Sequence, residues 1–304
     1  MSCFRVGFPL PGRFPQASLC CRLRGVRKSN LLIVGLGLAL AAGGALWLLR
    51  EPIAETVGIA APPVLESLPL PPELPRLADG PDYDRCLSLL RDDPDEAMRF
   101  AQAWDATGGG DGARHCIALA LLGLGEPDRA AERLERLGGS SRAGSLARAA
   151  VFGQASQAWM MAGDPNRAFG AATIALTLSP TDVELLVDRS VVLAAMRRYR
   201  ESIDDLDSAL ALEPERAEAW VLRAAALRHL ERVDQAVVAV ERALILAPDN
   251  VEALLERGIL RQLRGDAGGA RADWQRAIQL APDTMAADLA AQNIQLNELG
   301  PQRR

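Results

Sequence analysis

At 304 residues and 49% apolar content, the chain is long enough for two domains or one extended array and too apolar to be disordered. Aromatic residues make up only 4% while Ala, Leu and Arg dominate, which favours helix over strand. The net charge of −5 hides an asymmetry: residues 1–50 hold seven Lys/Arg and no acid, so residues 51–304 carry 27 basic against 39 acidic side chains, a balance of −12. An acidic body argues against nucleic acid as a partner, because phosphate binding depends on clustered basic residues.

Residues 1–30 form a basic N-terminal segment. The run "VRKSN" from Val26 would alone make an ordinary n-region, so residues 1–25 read as an over-extended start. Residues 31–49, "LLIVGLGLALAAGGALWLL", carry no charge. As a helix they would be about 28 Å long, close to the ~30 Å hydrocarbon core of a bilayer. Arg22, Arg24, Arg27 and Lys28 precede the run, so the positive-inside rule keeps the N-terminus in the cytoplasm and places the acidic body outside it. The expected location is a bacterial inner membrane, single-pass, with a periplasmic body. Two alternatives are a secreted protein cleaved after Ala39-Leu40-Ala41 and a mitochondrial inner-membrane protein led by an Arg-rich transit peptide. Pro9, Pro11 and Pro15 would break the helix a transit peptide needs. Gly35, Ala39 and Gly43 recur every four residues, a stripe suited to a homodimer through the span, although small residues are common in spans anyway.

Residues 50–81 are a Pro-rich linker, with eight prolines between 52 and 81. They favour extended polyproline-like backbone and a semi-rigid spacer, the alternative being a Pro-rich ligand for a partner's groove. Residues 82–148 read as two degenerate helical hairpins, the first joined near Asp93-Pro94 and the second, 112–139, cut short by Gly138-Gly139.

From residue 149 a period is explicit: Pro180, Pro214, Pro248 and Pro282 stand 34 residues apart. Large apolar residues sit early in each unit (Phe152, Leu186, Trp220, Leu254), and small ones follow four later (Ser156, Ser190, Ala224, Gly258). Small residues also recur at Ala168, Ser202, Ala236 and Ala270, and at Ala175, Ala209, Ala243 and Ala277, where helices must nearly touch. Each Pro ends a unit, since it cannot donate the helix hydrogen bond. This pattern resembles the tetratricopeptide repeat family, whose unit is a 34-residue pair of antiparallel helices. The resemblance covers 149–284 as units 149–182, 183–216, 217–250 and 251–284, followed by a capping helix, 285–299, and a tail, 300–304. It implies an all-α, superhelical α–α solenoid behind an N-terminal transmembrane helix.

Cys86 and Cys116 are the only thiols of the body and fall on first helices of consecutive hairpins. A disulfide between them and two buried apolar cysteines are equal readings. The two histidines, His115 and His229, stand far apart, so no metal site is expected, and no phosphate loop, nucleophile elbow or carboxylate pair marks an enzyme or a cofactor site. By the resemblance, the inner curve lined by first helices would hold an extended or amphipathic-helical peptide. Its expected residues are Val187, Val191, Val221, Ala225, Arg228, His229, Leu255, Ile259 and Gln262, rimmed by Glu184, Glu218 and Glu252. Packing against a neighbouring repeat is the competing use of this stripe. Relatives that clamp a terminal carboxylate use Lys, and Lys28 is the only lysine here, so that mode is not expected.

The expected function is a non-catalytic, membrane-anchored scaffold that binds a protein partner during assembly of an envelope complex. Alternatives are an accessory factor of c-type cytochrome maturation presenting an apo-protein, and an enzyme or sensor whose helical array carries an unrecognised site.

Overall fold

A computed structural model of the chain describes residues 76–298. The basic segment 1–30, the apolar run 31–49 with its Gly35, Ala39 and Gly43 stripe, most of the linker 50–81 and the tail 300–304 lie outside the described residues. No helix among the described residues is long and apolar enough to cross a membrane.

The described residues form thirteen α-helices and no strand. Six antiparallel hairpins follow one another: α1 (Pro81–Asp92) with α2 (Pro94–Ala106), α3 (Gly110–Gly123) with α4 (Pro127–Ser140), and α5 (Ser145–Met161) with α6 (Pro165–Leu178). Then come α7 (Val183–Ala195) with α8 (Tyr199–Leu212), α9 (Ala217–His229) with α10 (Val233–Leu246), and α11 (Val251–Leu263) with α12 (Ala267–Leu280). A final helix, α13 (Met285–Glu298), closes the array against α11 and α12. First helices of successive hairpins touch one another from α5 through α13, whereas second helices of successive hairpins approach less closely. The first-helix layer is therefore the inner side of the solenoid.

Local chemistry accounts for this punctuation. Ser179, Glu213, Ala247 and Ala281 end the second helices at φ between −127° and −147° and ψ between 72° and 86°. Each precedes a proline, whose ring bars its neighbour from the helical region. Within hairpins the chain reverses through a left-handed residue: Gly163, Arg197, Glu231 and Gly265, again at 34-residue steps. The next amide then bonds back to the carbonyl five residues earlier, as Arg198 does to Leu193 and Arg232 to Leu227. Arg197 and Glu231 adopt this conformation at φ near 60° without the freedom of glycine, a cost of about 1 kcal/mol each. Asp93, Asp164, Asp182, Asn250 and Asp266 cap helix starts by accepting from the amide three residues on.

Small positions carry the close packing. Trp274 of α12 is buried against Gly258 of α11, where a Cβ would overlap the indole, and its Nε1 donates to the Leu255 carbonyl at 3.2 Å. Gly138 and Gly139, expected to cut a helix short, instead lie inside the last turns of α4. A Cβ on Gly138 would stand 2.9 Å from the Phe152 ring of α5, so this glycine seats the next hairpin rather than ending its own helix.

Candidate functional site: the first-helix face

The nine residues expected to line the inner curve divide into three groups. Val187, Val221, Ala225 and Leu255 are only 3–9% exposed. Val187 belongs to the core built by α5 to α9, and Val221 and Leu255 to the core that continues to α13. The open apolar lining is thus largely closed, because first helices separated by small residues swallow these side chains into the seams between hairpins. Val191 and Ile259 remain half-exposed, joined by half-exposed Leu222. Glu184, Glu218 and Glu252 are exposed at 34-residue steps along the rim.

Two of the three polar members are engaged with neighbours. Arg228 Nε donates to Glu256 Oε1 at 2.6 Å from α9 to α11, with side-chain exposures of 9% and 7%. His229 stacks on Tyr199 of α8 with ring centroids 4.5 Å apart and planes 2° from parallel. Burial, then the charges of Arg228 and Arg197, pull its pKa down to about 4, so it is neutral at pH 7. Gln262 Oε1 is buried with no hydrogen-bond partner among the described residues.

Similar cross-links join other first helices to the next. His115 Nε2 on α3 donates to Gln154 Oε1 on α5 at 2.6 Å. An amide oxygen only accepts, so Nδ1 is the bare nitrogen and accepts from the Tyr83 hydroxyl of α1, also at 2.6 Å. Burial holds the His115 pKa below the usual value, with the Gln154 bond pulling the other way. Gln157 Nε2 on α5 donates to Asp188 Oδ2 on α7 at 2.9 Å. Burial pushes Asp188 up to about 6, against the lowering effect of that bond and with help from Glu184 and Glu218. Arg216 bridges Glu184 at 2.6 Å and Glu218 at 3.2 Å.

A second ladder ties first helices to second helices. Arg189, Arg223 and Arg257 recur every 34 residues. Arg189 grips Asp205 through two bonds of 2.7 and 2.6 Å, Arg257 grips Asp273 through two of 2.9 and 2.7 Å, and Arg223 reaches Asp207 at 2.6 Å. Sequence reading passed over these residues, along with Gln154, Gln157, Asp188 and Glu256. Their signal was register: Asp188 and Glu256 sit two periods apart, Asp205 and Asp273 each lie 16 residues after their arginine, and Asp207 lies 16 before Arg223.

Cys86 on α1 and Cys116 on α3 are joined in the structure as a disulfide, with Cα atoms 6.1 Å apart and both residues fully buried. No group of three His, Cys, Asp or Glu side chains able to hold a metal ion occurs among the described residues.

With this geometry, the comparisons with known proteins are consistent. Residues 222–295 match the family model described as tetratricopeptide repeat, which covers less than half of the chain. Among solved structures, one reported in a functional characterisation of Pseudomonas aeruginosa pilF is 17% identical with a TM-score of 0.55, matching 71% of this chain and 96% of that one. The C-terminal part of a TPR repeat-containing protein from Cytophaga hutchinsonii is 14% identical with a TM-score of 0.52, over 72% of this chain and 96% of that one. The Cut9–Hcn1 hetero-tetramer of the APC/C is 18% identical with a TM-score of 0.53, over 69% of this chain but only 42% of that one. At these identities the likeness is one of fold: an all-helical solenoid of the tetratricopeptide type. No curated protein sequence matches the chain.

Proposed function

We propose that the chain is a non-catalytic scaffold whose helical array is held outside the cytoplasm by the apolar segment 31–49 and the Pro-rich segment 50–81. The array binds one segment of a protein partner during assembly of an envelope complex. The observation that carries this reading is the narrow row of partly buried Val191, Leu222 and Ile259 beside the exposed carboxylates Glu184, Glu218 and Glu252. A strip this thin, with its flanks closed by polar cross-links, suits one face of an extended or helical segment rather than a broad globular surface. Arg216 already pairs with Glu184 and Glu218, so the carboxylate row favours basic residues on that segment that share or displace this pairing. An enzyme would need free polar groups on this face, yet Arg228 is neutralised by Glu256 and His229 is stacked on Tyr199.

A photocrosslinking side chain placed at Val191 or Ile259 should yield a discrete protein adduct in membranes of the native host. The same group at Val238, 70% exposed on α10, should not. The adduct should fade when Glu184, Glu218 and Glu252 are changed together to Lys. Equal labelling from Val238, or adducts indifferent to the charge reversal, would remove the inner face from consideration. For the orientation, a reporter fused after residue 304 should be active outside the cytoplasm, and cytoplasmic activity would overturn that part of the proposal.

A further inference from the structure

The front of the array is built differently from the rest. The cluster joining α1 and α2 to α3 has four buried members, Cys86, Ala101, Cys116 and Ile117, with Leu90, Met98 and Phe100 at its margin. The core shared by α8 to α13 has nineteen. Beyond the front cluster, Trp104 of α2 seats on Gly112 and Pro94 on Gly123 of α3, and this limited interface is supplemented by a covalent bond between α1 and α3 and by the Tyr83 to His115 hydrogen bond. Both cysteines are fully buried where α1 and α2 meet α3, so a reagent reaches the sulfurs when the front hairpin opens.

We infer that the Cys86–Cys116 bond is a redox latch: oxidation locks the α1–α2 hairpin onto α3, and reduction releases the hairpin while the array from α5 onward stays folded. Release uncovers Cys116 and Ile117 on α3, an unstacked end of the solenoid. Closing the latch is a two-electron oxidation by an external disulfide. The two cysteines surrender two protons and two electrons, one S–S bond forms between them, and the oxidant leaves as two thiols. Opening is the reverse, by a dithiol: one thiolate attacks a latch sulfur to give a mixed disulfide, and the second displaces the remaining cysteine. The inference stands apart from whatever occupies the inner face.

The test uses the full chain in detergent, purified without reductant, with peptide mapping after thiol alkylation and amide hydrogen exchange with and without dithiothreitol. Cys86 and Cys116 should resist alkylation until reduced. Reduction should then speed exchange in residues 81–106 on the order of ten-fold or more, with residues 145–298 unchanged. In the Cys86→Ser variant those front residues should exchange fast from the outset and ignore the reductant, which separates the latch from effects at Cys3, Cys20 or Cys21. Ready alkylation of both cysteines before reduction would sink the inference, as would unchanged exchange of 81–106 after it. Loosening of the whole array would also overturn it, by making the bond a support of the entire fold.

Discussion

The two ends of this solenoid solve one problem in opposite ways. From α5 to α12 each hairpin buries its apolar face against the next, and the interfaces are nearly interchangeable because their residues repeat every 34 positions. From α1 to α3 that repetition is lost, and packing is supplemented by individual devices: a disulfide and the Tyr83–His115–Gln154 chain. Periodic packing spreads stability over many replaceable contacts, whereas the front concentrates it in a few that are not.

The largest effect should come from Arg228–Glu256, the ion pair of the regular array with both partners most deeply buried. Glu256→Ala strands the buried Arg228 charge and should cost about 3–5 kcal/mol, read as a drop in urea midpoint with faster exchange in α9 to α11. A small loss would mean that periodic packing absorbs even a buried charge. Removing the disulfide by Cys116→Ser should cost about 3–4 kcal/mol for a loop of 30 residues, confined to the first unfolding phase of the front hairpins. If the single transition of the whole protein shifts instead, the two regions are one cooperative unit.

A smaller gain is expected at Asp188. Its pKa of about 6 in the fold lies above the ordinary carboxylate value, so the folded state holds this proton more tightly than the unfolded chain. The penalty is absent below about pH 4, grows as the pH rises toward 6 and is complete above it. Asp188→Asn, which keeps an acceptor for Gln157, should therefore stabilise the array by roughly 1–2 kcal/mol at pH 7 and by nothing near pH 4, measured as paired urea titrations. The smallest effect belongs to the hairpin turns. Arg197→Gly and Glu231→Gly should each add about 0.5–1 kcal/mol, matching the glycine already present at Gly163 and Gly265, with thermal melting as the readout.

Much of the fold was legible because its causes are local. The four prolines bar their predecessors from helix, the small positions admit a neighbouring helix, and the two together predict stacked hairpins. The candidate site was legible only in register. Reading along the first helices located the face, but whether Val187, Val221 and Leu255 would stand open or close into a seam depends on how near the next hairpin comes. Gly138 shows the same limit, since a glycine that locally looks like a helix end is kept for the ring of Phe152, fourteen residues away in sequence.

By itself, then, the chain of residues determined the helical hairpins, their period and the acidic rim, all of which follow from backbone sterics and side-chain type within one or two turns. Only the folded molecule decided that Arg228 belongs to Glu256, that His229 lies on Tyr199, and that Cys86 meets Cys116. Such pairings join residues 28 to 30 positions apart, and their geometry is set by the packing distance between helices, a property of neither segment alone.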